Sequence, residues 1–138
     1  MPIQPTPVKR VPAILNGVAT AIPASGSVEL QISVGGTDFE IQQFCARGTL
    51  GPFTINFFPS DTDTKFATAK VDSQVLFGNA NGATGDPLPL RIDGGPGSKQ
   101  ERPLRVAAAS TITVELQNTH TAQQDIYVAF IGCKLMKG

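Results

Sequence analysis

Residues 110–135, STITVELQNTHTAQQDIYVAFIGCKL, decide how this chain folds. In the first half Ile112, Val114 and Leu116 alternate with Thr111, Thr113, Glu115 and Gln117, which reads as a strand with one apolar and one wet face. The second half is apolar on both faces. Ile126, Val128 and Phe130 share one parity, and Tyr127, Ala129, Ile131, Cys133 and Leu135 share the other. Such a strand needs cover on both sides, and the domain's own core supplies only one.

Working outward, the same alternation recurs. In SVELQISVGG, Val28, Leu30, Ile32 and Val34 face inward, with Ser27, Glu29, Gln31 and Ser33 outward. In DFEIQQFCARG, strict alternation groups Phe39, Ile41 and Cys45 on one face and Phe44 on the other. PFTINFFP places Phe53, Ile55 and Phe57 together and Phe58 opposite. ILNGVATAI forms a first strand. KFATAKVDSQVLFG is the nearest approach to a helix and holds at most a turn or two. Gly, Pro, Asn or Asp bounds each run.

Residues 79–103 form a long Gly/Pro-rich excursion, broken only by a short strand across Leu88–Ile92, and loops of this length are functional or disordered. Roughly seven to nine short strands spaced by turns predict an all-β fold. The expected architecture is a two-sheet antiparallel sandwich of jelly-roll type, as a single domain over residues 14–138. Residues 1–13 carry four prolines and the pair Lys9 and Arg10. They read as an extended arm, either a disordered tail or a strap whose Ile3, Val8, Lys9, Arg10 and Val11 dock on a partner.

Composition narrows the function. With 138 residues, one domain is expected, able to bury roughly 68% of its unfolded surface. Eleven basic and eleven acidic residues give zero net charge, so nothing global attracts nucleic acid or an anionic membrane. No segment is apolar over the ~18 residues that span a bilayer, and the first residues lack a signal-peptide core. Assembly in a cytosol is the expectation.

Chemistry-bearing motifs are sparse. His120 in NTHTAQQ falls in a hairpin turn without serine or aspartate partners for a triad. SDTDT, with Asp61 and Asp63, resembles a calcium loop but lacks the distal bidentate glutamate, so both aspartates read as turn formers. DGGPGSK has the wrong order and spacing for a phosphate-binding loop. Cys45 and Cys133 read as buried thiols, with a disulfide as the alternative. One histidine cannot build a cysteine–histidine zinc site or a cupin-type centre. Without Trp, and with Tyr127 as the single tyrosine, a sugar-stacking platform is disfavoured. The expectations are therefore no enzyme, no metal and no cofactor. The second cover for Tyr127, Ala129, Ile131, Cys133 and Leu135 is then expected from another subunit, with the long loop at 79–103 as the alternative.

The succession TINFFPSDTDTKF, VDSQVLFGNA, PLPL, LRVAAASTITVELQN and IYVAFIGCKL, spanning approximately residues 50–136, resembles small structural proteins of tailed-phage virions. In that family a Phe-Gly or Leu-Phe-Gly segment precedes a Pro-Leu-Pro stretch, then a strand ending in Asn, then a last strand with a glycine near its end. The chain departs from the pattern in a Gly-rich insertion after Leu90. The resemblance implies a sandwich that cements or decorates the capsid, commonly as a homotrimer, with the major capsid protein as partner and the virion as location. A connector, collar or tail-associated sandwich is the nearest alternative, and a glycan- or receptor-binding module is an alternative from another class.

Overall fold

The first strand pairs with the last. In the computed structural model, which describes residues 8–62, 64–78, 86–92 and 104–137, β1 (Val8–Ile22) runs antiparallel to β9 (Gln124–Lys137), Val8 opposite Lys137 and Ala19 opposite Ile126. β2 (Ser27–Ser33) pairs with β8 (Thr111–Asn118). β3 (Asp38–Gly48) pairs with β9, with β6 (Leu90–Arg91) and with β7 (Leu104–Val106). β4 (Phe53–Pro59) pairs with β8 and with β5 (Val71–Asp72).

The larger sheet thus has the order β1-β9-β3-β6, with β7 also on β3, and the smaller has β2-β8-β4-β5. First pairs with last, second with second-last, and so inward. That nesting is the strand order of a jelly roll, and the all-β two-sheet sandwich expected from the alternation is what forms.

The inner faces follow the sequence pattern in β2, β4 and β8. Phe53, Ile55, Phe57, Ile112, Val114 and Leu116 are fully buried. Phenylalanine dominates the centre. Phe44 and Phe130, neighbours on β3 and β9, stack with ring centroids 5.1 Å apart, and Phe57 of the opposite sheet meets both edge-on at 4.8 and 4.9 Å. A single helical turn, α1 (Ser73–Phe77), drops Phe77 onto Phe44 at 5.1 Å. Asp72 caps it by accepting from the Gln74 N–H at 2.8 Å. Each such ring pair adds about 0.5–1.5 kcal/mol beyond its buried area. Thr113, on the face expected to be wet, is buried between its register partners Gln31 and Phe58.

Two expectations are corrected. Phe39, Ile41 and Cys45 do not share a face, because β3 carries a bulge: Ile41 lies opposite Gly132 and Gln43 opposite Ile131, leaving Gln42 as the extra residue. The bulge reverses the parity, so Phe44 and Ala46 point into the core and Cys45 points out. Of the residues expected in the arm, Val8, Lys9, Arg10 and Val11 lie in β1 and pair with β9. Pro12 is tolerated there because β1 is an edge strand and its missing N–H faces away from β9. Ile3 lies outside the described residues.

A polar knot closes one end of the sandwich. Asn118, fully buried at the end of β8, donates through Nδ2 to the carbonyls of Ile22 (2.9 Å), Pro23 (3.2 Å) and Ala122 (2.9 Å). Its Oδ1 accepts from the His120 N–H at 2.9 Å and from Gln124 Nε2 at 2.8 Å. Gln124 Oε1 accepts from the N–H groups of Leu50 and Gly51, both at 3.1 Å, and its Nε2 also donates to the Pro52 carbonyl. Two side chains thereby tie the β1–β2, β3–β4 and β8–β9 turns together.

Candidate functional site

The outward face of the larger sheet is the chain's most unusual surface. Residues paired across strands share a face, so the registers assemble it row by row. Val18, Tyr127 and Arg47 form one row; Asn16, Ala129 and Cys45 the next; Ile14, Ile131, Gln43 and Arg91 a third. Beyond these come Pro12, Cys133 and Glu40, then Arg10, Leu135 and Asp38.

The far two rows are covered by their own chain. Cys133 and Leu135 are buried beside Arg10 and Glu40, whose charged groups meet at 3.6 Å, and the Gln42 amide donates to Cys133 Sγ at 3.7 Å. Asp38 faces Arg105 at 3.7 Å and accepts from the Ala108 N–H. Charged and polar side chains thus flank two buried apolar ones.

The near three rows are open. Ile14 is 58% exposed, Tyr127 46% and Val18 39%, with Ala129 and Ile131 half-buried between them. The Arg47 guanidinium lies 5.6 Å from the Tyr127 ring centroid, a cation–π distance. Beside this pair is an open depression of about 460 Å³, lined by Asn16, Cys45, Arg47, Asp86, Pro87 and Tyr127 among others. Burial pushes the Cys45 thiol above its ordinary range, opposed in part by its hydrogen bond to the Ala46 backbone.

The five residues of the last strand therefore share the outward parity read from the sequence, but their environments split. Tyr127, Ala129 and Ile131 meet the open surface, whereas Cys133 and Leu135 are buried within the single chain. Ile14, Asn16, Val18 and Arg47, which complete the face, carry no local sign of it.

The cysteines are both free. Cys45 is opposite Ala129, and Cys133 lies about 13 Å farther along β9, beyond disulfide reach. His120 occupies the turn, half-buried, its ring against Gly51. Asp61 accepts from the Ala107 N–H at 3.1 Å, a turn-stabilising role; Asp63 lies outside the described residues. Among the described residues no three His, Cys, Asp or Glu side chains converge, and no helix is long and apolar enough to cross a membrane. No protein-family model, curated protein or solved structure matches the chain.

Proposed function

We propose that this chain is a non-enzymatic structural protein of a tailed-phage virion, binding the capsid as a cement or decoration protein. The observation that carries a binding role is the open apolar area of the larger sheet around Ile14, Val18, Tyr127 and Ile131. A sheet face that meets only water alternates to polar residues, as Ser27, Glu29, Gln31 and Ser33 do on β2. This one does not. The virion setting and the major capsid protein as partner rest on the motif resemblance over residues 50–136. On that reading the face seats on capsid protein, and repetition over a lattice multiplies a modest single-site affinity.

The test is co-sedimentation of purified protein with capsid shells that lack it. A Tyr127→Ala/Ile131→Lys variant should keep its melting temperature within a few degrees, since neither side chain is in the core, and should lose most of its binding. Binding unchanged in the folded variant refutes the assignment of this face. Copy number in purified particles separates decoration from the connector or collar reading, because a connector is limited to the copies of one ring.

A second reading has an observation of its own. Tyr127, Arg47, Asn16 and Asp86 around the depression combine an exposed ring with polar groups, the equipment of a sugar or receptor site. Binding on a glycan array that Tyr127→Ala abolishes would favour it.

A further inference from the structure

Among the described residues β1 is an edge of the larger sheet, and past Lys9, Arg10 and Pro12 it is an undefended one. Edge strands are normally short, bulged or guarded by charge, because their unpaired N–H and C=O groups invite another strand. β1 runs from Val8 to Ile22, and its bulge comes only after Ala19. No Asp, Glu, Lys, Arg or His occurs from Val11 through Val28. Pro12 fixes which backbone groups are free. It cannot donate to β9, so the residues of its parity, Ile14, Asn16 and Val18, turn their N–H and C=O groups toward the edge. Among the described residues those groups have no hydrogen-bond partner, and the Asn16 side chain has none either.

We propose that this edge pairs antiparallel with β1 of a second copy, about a two-fold axis through Asn16, joining two larger sheets into one. The proposal is independent of the virion reading. An unpaired backbone edge specifies a strand as its partner, and the order of side chains specifies which strand. With Asn16 on the axis, Ile14 of each copy lies opposite Val18 of the other. Two of the most exposed apolar side chains of the face are then covered by one another. The two Asn16 amides meet on the axis, each offering the donor and acceptor the other needs. About six backbone hydrogen bonds form across the Asn16 pair and the two Ile14–Val18 pairs. The neutral stretch places no like charges opposite each other, which any charged self-pairing would. Inward, Gly17 lets β1 settle on Leu30 and Ile32, so the pairing leaves the core untouched.

Light scattering coupled to size exclusion tests this on the full chain. The expected mass is twice the 14.5 kDa of one chain. Asn16→Lys sets like charges on the axis, and Asn16→Pro removes the central donors without touching the β9 ladder. Each should weaken dimerisation by about tenfold or more, with the far-ultraviolet spectrum and melting of the dilute protein near wild type. Should one variant fail to fold, the other decides. Gln31→Lys, exposed on the edge strand of the smaller sheet, should leave the mass unchanged. A wild-type mass of one chain, or of three, overturns the pairing. So does a folded Asn16 variant that stays dimeric, or loss of the dimer in the Gln31 control.

Discussion

Replacing Asn118 by alanine should be among the most damaging single changes outside the aromatic core. The residue is fully buried, and two of its hydrogen bonds are themselves fully buried: Nδ2 to the Ile22 carbonyl at 2.9 Å and Oδ1 from Gln124 Nε2 at 2.8 Å. Alanine strands both partners where water does not reach. An orphaned buried polar group costs roughly 1–3 kcal/mol, so the pair costs about 4 kcal/mol. The Pro23, Ala122 and His120 partners are only partly buried and recover water, adding little. Unfolding entropy near 2.1 cal/mol/K per residue gives about 0.3 kcal/mol per kelvin for 138 residues. The melting temperature should therefore fall by roughly 10–15 °C. Calorimetry reads this directly, and guanidinium unfolding should show a lower midpoint at an unchanged slope. Gln124→Ala should cost a similar amount, and the double variant should lose clearly less than the sum, because the two side chains share one bond. A loss below about 1 kcal/mol for Asn118→Ala, or strict additivity with Gln124→Ala, would refute the claim that this knot holds the three turns together.

Two further outcomes follow from backbone and thiol geometry. A Cβ at Gly132 would land on the Glu40 carbonyl oxygen beside the Gln42 bulge, with backbone and no flexible side chain in the way. Gly132→Ala should cost about 3 kcal/mol or prevent soluble folding, and near-wild-type chemical denaturation would show that the bulge yields instead. Burial raises the Cys45 thiol pKa. The folded state therefore holds this proton to higher pH than the unfolded chain. Its contribution to stability is present below the ordinary thiol range and is lost as pH rises through the raised value. Correspondingly, maleimide labelling of Cys45 in a Cys133→Ser background should accelerate with pH later than for a free thiol, and a rate matching the free thiol at pH 8 would contradict it.

Period-two alternation alone determined the fold class, because it is a local property: Ile112, Val114 and Leu116, or Phe53, Ile55 and Phe57, must share a face wherever the strand lies. The same logic put Tyr127 and Ile131 on one face without saying whether that face points outward, and Gly and Pro marked the turns. What the tertiary structure decided is everything that depends on neighbours distant in the chain. The bulge at Gln42 arises where β3 meets Gly132, so the outward turn of Cys45 was hidden from any window around Phe44. That Leu135 is buried within its own chain depended on which strands flank β9, a pairing of first, third and last strands. Asn118 and Gln124 looked like ordinary turn residues until three loops converged on them. And β1 became an edge, with its neutral stretch open to a partner, only because the jelly-roll order placed it outside β9. Burial, parity beyond a bulge, and edge position are consequences of which strands pair, and no local pattern encodes that.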